Sequence, residues 1–451
     1  MSINSITGLP MSINNFVTPN YRTILGNTRC DYRTILGNYL VSGMLCAKQS
    51  TFNGDIEACG IQLLYVLATK TMRSWNNFIA RESQLKHIVA YDICLINTNV
   101  GTVHSFDKIT WTNITKSKSC QFILGDNRVE LLNVSCEGRT TSLMDRVIAT
   151  ESLLCEVFAQ TQVELINTTA KEVMVKNGDL SITHTKDFIA SNSLSFKELS
   201  VYANNTFMKN ITVNNFISEK GKIEMQNCIL NEVYSEGSVD LMNTCINVCR
   251  VINGNLTILH IRSITSMLGN IASEANEITT LNPFLFTIYP GCCQVDKGEL
   301  SIDALSRIIY QSLQAYKDII IKNIDVREIT SSKCGTLNAQ GCNLSQVEAY
   351  QHMVFDNTNV DSAQLEVPTG EISTITLKGG SVVKKGLIVK KAKVQSSATE
   401  NKFALVIKGR SFIQGLIVFS GCWEVCEKNM YDQYGEIIED EVAFIGKIKT
   451  V

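Results

Sequence analysis

A five-residue frame recurs along the chain: aliphatic, polar, aliphatic, any residue, then Asn. It is plainest in Val129-Glu-Leu-Leu-Asn133, Val163-Glu-Leu-Ile-Asn167, Ile223-Glu-Met-Gln-Asn227 and Val239-Asp-Leu-Met-Asn243. Alternation of this kind puts the first and third residues on one face of a strand, with the fifth where the strand turns. The same frame places Ile93 with Asn97, Ile109 with Asn113, Ile319 with Asn323 and Met353 with Asn357. Leu180 with His184 and Leu256 with His260 follow it, as do Ile56 with Gly60, Leu337 with Gly341, Ile375 with Gly379 and Leu405 with Gly409. Met72 with Asn76 is a weaker member, and Val147 departs by ending in Glu151. The frames start 16 residues apart (93 to 109, 223 to 239), 17 apart (163 to 180) or 18 apart (129 to 147).

A repeat this short has no room for a helix–turn–helix unit, but it holds two or three short strands and their corners. The pattern therefore predicts an all-β, single-stranded parallel β-solenoid, its coils stacked about 4.8 Å apart. The span from about residue 40 to 420 has room for about twenty coils less insertions. The crossover preference of parallel strands favours a right-handed winding. Asn, His and Gly at the fifth position have a common cause, since a sharp corner needs a residue with positive φ and these types reach it most easily. The predicted corner column is Asn97, Asn113, Asn133, Asn167, His184, Asn227, Asn243, His260, Asn323 and Asn357. Stacked Asn amides are expected to hydrogen-bond from coil to coil.

Outside the frame, residues 1–39 carry two duplications, Met1-Ser-Ile-Asn4 with Met11-Ser-Ile-Asn14 and Tyr21-to-Asn27 with Tyr32-to-Asn38. They are off the main period and read as an N-terminal arm or cap before a solenoid over 40–264. Residues 265–318 read as an insertion. Within it Ser301 is a plausible N-cap with Asp303 in the first turn, and Ile302, Leu305, Ile309 and Leu313 fall on one stripe, so a lateral amphipathic helix is expected. The solenoid resumes over 319–426. Residues 427–451, with Glu436, Glu439, Asp440 and Glu441, read as a charged C-terminal cap that discourages end-to-end pairing.

One longer duplication, Ile375-Thr-Leu-Lys-Gly-Gly-Ser to Val389 with Leu405-Val-Ile-Lys-Gly-Arg-Ser to Val418, aligns with one residue gained or lost. Over residues 370–420 this glycine-punctuated pattern resembles the coils of bactofilin-type, polymer-forming β-solenoids and of adhesin-like bacterial repeats. Gly43 to Gly60 resembles them more loosely. The resemblance implies a structural protein that assembles with itself. The Asn-rich central coils depart from the Gly-rich pattern of that family.

Composition narrows the classes of function. The chain has 451 residues, 45% of them hydrophobic, and a net charge of −2, so nothing in its charge draws it to nucleic acid or an anionic membrane. No run approaches the length of a membrane span, and residues 1–20 show no cleavable secretory signal. Sixteen scattered Cys then suggest free, buried thiols in a reducing compartment, or export without a cleavable signal. Cys292-Cys293 and Cys422-x-x-x-Cys426 lack a second pair at metal-ligand spacing, so neither metal nor cofactor is expected. The His residues (His87, His104, His184, His260, His352) are dispersed and no phosphate-cradling loop occurs, so no catalytic residue is nominated. Asn-x-Ser/Thr triplets at Asn113, Asn133, Asn167, Asn255 and Asn343 follow from small polar residues after corner Asn.

The most suggestive chemistry sits at the second frame position. Glu224 and Asp240 should face outward one coil apart, in the column of Glu130 and Glu164, with Lys222 and Arg250 near in sequence. Stacked carboxylates repel unless a cation, a lysine or solvent intervenes. Glu224, Asp240 and Arg250 are therefore the candidate ligand-binding residues. The leading expectation is a non-enzymatic scaffold or adhesin-like solenoid whose partner is itself or another protein. The alternatives are a polysaccharide-binding or polysaccharide-cleaving β-helix, and an exported effector of an intracellular bacterium or virus.

Overall fold

The computed structural model describes residues 21–114, 120–185, 194–260, 292–297, 299–367, 372–391, 402–407, 410–414, 416–420, 443–444 and 448–450. The chain divides into unit 1, Met1–Leu154, and unit 2, Cys155–Val451. Each is a parallel β-solenoid, with about 17 turns counted over both. The number falls below twenty because several coils are lengthened.

The frame read from the sequence is the register of the fold. In unit 1 the first-position column runs Ile93, Ile109, Val129, Val147. In unit 2 it runs unbroken from Val163 through Leu180, Thr206, Ile223 and Val239 to Leu256, and on to Leu405. First and third residues point inward: Val129, Val163, Leu165, Ile223 and Val239 have almost no exposed surface. Burying one such side chain stabilises by about 1.5–3 kcal/mol, and each coil contributes several.

A typical coil pairs a short strand, Val239–Met242, with a longer one, Cys245–Val251, joined by the corner Asn243. The longer strand bends in its middle. Pairing between Ile229–Ser235 and Cys245–Val251 stops after Leu230↔Ile246 and resumes at Glu232↔Val248. Asn231 and Asn247 occupy the skipped step. Their amides take over the pairing, Asn247 Nδ2 donating to Asn231 Oδ1 at 2.9 Å and Asn231 Nδ2 to Asn214 Oδ1 at 3.2 Å.

Corner geometry follows the expected chemistry. Asn97, Asn133, Asn167, Asn227, Asn243, Asn323 and Asn357 have φ between 47° and 55°, and Gly341 and Gly379 have φ of 65° and 64°. Glu151, the exception in sequence, takes the same conformation with φ 51°. An L-residue there costs about 1–2 kcal/mol, least for Asn. The corner N–H bonds up the stack to the residue preceding the next corner, as in Asn227 N to Met242 O at 3.0 Å and Asn243 N to Leu259 O at 2.8 Å. Asn113 and His184 are corner positions without positive φ.

Several expectations are corrected. Residues 301–313 are not helix: Leu300–Ala315 is one strand, paired with Ile319–Ser332, and there is no helix among the described residues. Leu300, Ile302, Ala304, Ile308 and Tyr310 are buried whereas Ile309 is half-exposed. Period-two burial with partners on both sides overrides the 3.6-residue stripe. Residues 265–291 of the expected insertion lie outside the described residues.

Of the expected arm or cap, residues 1–20 lie outside the described residues, and residues 21–39 join the ladder, Tyr21–Ile24 and Thr28–Asp31 pairing with Asn38–Lys48. Ile56 and Met72 do not belong to the corner frame; they pair with each other, and Met72 pairs with Ile88, on the longer strand. The true frame there is Leu45, Ile61 and Phe78, with positive-φ corners at Gln49, Tyr65 and Glu82. The C-terminal duplication pairs at a constant offset, Ile375↔Leu405, Val382↔Phe412 and Leu387↔Ile417, with no residue gained or lost. Gly409, Cys422, Cys426 and most of the tail lie outside the described residues.

Candidate functional site

Glu224 and Asp240 stand opposite each other on adjacent strands, Lys222–Gln226 and Val239–Met242, as the frame required. Lys222 resolves their repulsion. Its Nζ lies 2.8 Å from Glu224 Oε1 and 2.7 Å from Asp240 Oδ2, and these hydrogen bonds, Asp240's first, raise the ammonium's pKa above its ordinary value. All three side chains are about half-exposed, so the pair interactions contribute of order 0–1 kcal/mol.

Arg250 is not part of this group. It lies on the longer strand Cys245–Val251, where Nη2 meets Asp296 Oδ2 at 2.8 Å. Burial pushes Asp296 up, but the Arg250 and Gln294 hydrogen bonds outweigh it and hold the carboxyl below its usual range. Three residues close in sequence therefore form two separate ion-pair groups on different strands of the coil.

Beside the first group lies a shallow cleft of about 210 Å³, lined by Gln162, Asp179, Ser181, Asn205, Phe207 and Glu224 among others. Phe207 is an outward second-position residue between Ser181 and Glu224 in the register. The sequence frame missed it because its coil starts with Thr206 rather than an aliphatic residue. Asp179 Oδ1 accepts from Asn205 N at 3.1 Å and from Asn205 Nδ2 at 2.9 Å, which orients the Asn205 carboxamide.

The corner column is structural, though its amides do not form the expected continuous ladder. One direct link between corner amides is Asn227 Nδ2 to Asn210 Oδ1, at 3.3 Å. Elsewhere the amides cap backbone: Asn97 Oδ1 accepts from Ile114 N at 2.8 Å, Asn133 Nδ2 donates to Asn113 O at 3.0 Å, and Asn323 Nδ2 to Ala304 O at 2.9 Å. Asn113 is itself buried, its Oδ1 accepting from Thr98 N at 3.0 Å.

A second column went unread in the sequence. The residue after the corner is often a buried hydroxyl donating back two residues, as in Thr98 to Ile96 O, Thr244 to Met242 O and Thr358 to Asp356 O. Each such bond contributes about 0.5–1.5 kcal/mol. The signal was available in the small polar residue following the corner Asn.

Eight of the fourteen described thiols are buried in the core. Burial pushes Cys228, Cys245 and Cys249 up to about 12. Cys292 is exposed and Cys293 buried on the same strand, so this adjacent pair faces opposite sides. His87 and His104 are held below the ordinary imidazole value by burial, and His87 Nδ1 sits 2.6 Å from Thr102 Oγ1.

Unit 1 carries the other exposed feature. Trp75, Tyr91 and Phe106 fill the same turn position in three consecutive coils, just after the inward Ser74, Ala90 and Ser105. They are 65%, 50% and 48% exposed. Leu143 and Met144, 40% and 65% exposed, continue the edge beyond Asp126. The longer strand was not framed in the sequence, so this column could be seen only once its register was known. Compared with protein families, curated proteins and solved structures, the chain matches none.

Proposed function

We propose that this chain is a non-enzymatic structural solenoid that associates with a second copy of itself through the aromatic edge of unit 1. The observation that carries the reading is the Trp75–Tyr91–Phe106 column. Large side chains about half-exposed or more in succession form an apolar stripe of the kind found at protein contacts. The ladder fixes their rise at about 4.8 Å per coil. A second column of equal rise is the partner that can meet it residue for residue, and two-fold pairing of one surface with itself is the commonest route to a dimer.

The reading accords with the resemblance of residues 370–420 to polymer-forming solenoids, but assigns the contact to a side edge rather than to coil ends. The stacked carboxylates Glu224 and Asp240 are engaged by Lys222, which supports a structural role over a catalytic one.

Sedimentation velocity over a wide concentration range tests the proposal. The wild-type mass should rise with concentration, and the triple variant W75S/Y91S/F106S should stay monomeric while melting as the wild type does. A wild type that remains monomeric throughout, or a variant that associates equally well, refutes it.

A further inference from the structure

We infer that the cleft around Phe207 in unit 2 is a binding site for a neutral pyranose oligosaccharide. It spans four consecutive strands, Gln162–Ile166, Asp179–Thr183, Asn205–Lys209 and Lys222–Gln226, which is about 14 Å along the stack at the usual strand spacing.

The outward second-position column through these coils reads Glu164, Ser181, Phe207, Glu224. Phe207 is its one aromatic residue, and the small Ser181 beside it leaves the hollow. At about 210 Å³ the cleft is smaller than the ~300 Å³ or more of sites that engulf a drug-sized ligand. It suits a single ring laid against the sheet, with the chain continuing along the face.

The chemistry around the ring matches a sugar. A pyranose has an apolar C–H face, which packs on an aromatic ring, and a rim of hydroxyls that both donate and accept. Phe207 supplies the platform. Around it the Gln162 carboxamide and Ser181 hydroxyl line the cleft, and two further groups are already fixed in place. Asn205 is oriented by Asp179, and Glu224 by Lys222. Groups held before binding lose little freedom on binding.

Charge decides which sugars. The short strands that line the cleft, with the adjoining Val239–Met242, carry Glu164, Asp179, Glu224 and Asp240 against Lys209 and Lys222, four carboxylates to two ammonium groups. Lys222 is spent on two of the carboxylates and Arg250 is elsewhere. An acidic polysaccharide would meet net repulsion, so the ligand is neutral. The site is independent of the aromatic edge of unit 1.

The test is calorimetric titration of the full chain with cellohexaose, maltohexaose and mannohexaose, with polygalacturonate as the acidic counter-probe. At least one neutral oligomer should bind. Phe207→Ala should weaken it by about tenfold or more, Phe207→Tyr should preserve it, and polygalacturonate should not bind. Thermal melting of both variants separates loss of the site from loss of the fold. The assignment is overturned if none of the three neutral oligomers binds, if Phe207→Ala folds and binds as the wild type does, or if polygalacturonate binds as well as the neutral probes.

Discussion

The turn that follows the longer strand is occupied differently in the two units. In unit 1 it carries Trp75, Tyr91 and Phe106. In unit 2 the corresponding turn residues include Lys176, Glu219, Glu236, Asp296 and Lys333, with Ile252, Tyr316 and Tyr350 among them. The backbone does much the same in both: Trp75 N donates to Ala58 O and Phe106 N to Ala90 O, as Glu236 N does to Ser218 O and Asp296 N to Val251 O. Since charged residues serve the turn in unit 2, the aromatics of unit 1 are not demanded by the coil. Inward positions show no such contrast. Trp111 and Phe78 in unit 1, like Phe216 and Phe355 in unit 2, are almost wholly buried. The fold constrains the inside and the corners alike in both units and leaves the outside free to differ.

The largest effect should come from emptying the inside. Trp111 is fully buried and its Nε1 donates to Thr98 O at 3.0 Å. Trp111→Ala should cost about 3–5 kcal/mol in urea unfolding, whereas Trp75→Ala should stay within about 0.5 kcal/mol. Comparable losses from both would erase the distinction between the inward and outward faces.

Corners come next. Asn227→Leu places a branched side chain at φ 52° and should cost about 1–2 kcal/mol, while Asn227→Gly should cost less. A Leu variant as stable as the Gly variant would contradict the conformational reading of the corner.

Buried thiols give a pH signature. Burial raises Cys228, Cys245 and Cys249 from 9.0 to about 12, so the folded chain keeps protons that the unfolded chain releases. Their contribution to stability is complete below pH 9 and is lost as the pH rises from there towards 12. Thiol-reagent mapping at mildly alkaline pH should label the exposed Cys59, Cys292 and Cys334 first and these three only on unfolding. Rapid labelling of Cys249 in the folded chain would contradict its placement.

The smallest effect belongs to the exposed ion-pair group. Lys222→Met should change stability by less than about 1 kcal/mol, and added salt should shrink the difference further.

The short strand of each coil was legible because it announces itself twice, by an aliphatic alternation and by a corner residue chosen for φ. Where only one signal survived, the reading slipped. Gln49, Tyr65 and Glu82 take positive φ without being Asn, Gly or His, so the frame there settled on Ile56 and Met72, which alternate equally well on the other strand. At 301–313 apolar residues satisfied two periods at once, and only neighbouring coils decide between them. The pairing of Glu224 with Asp240 was legible because it follows from register. Arg250 was misplaced because nearness in sequence says little once the chain has turned a corner. Phe207 and the aromatic edge were hidden for the same reason: each is made of residues 15 to 26 apart, meaningful only when stacked.

A charge-substituted edge gives the most direct test of the claim that this face is made for contact and not for folding. In the variant W75K/Y91E/F106E, unit 1 is given the kind of residues unit 2 carries at the same turn. Melting temperature and sedimentation mass are then read on one sample. The expected result is an unchanged melting temperature with concentration-dependent association abolished. A variant that unfolds at markedly lower temperature, or that still associates like the wild type, contradicts it.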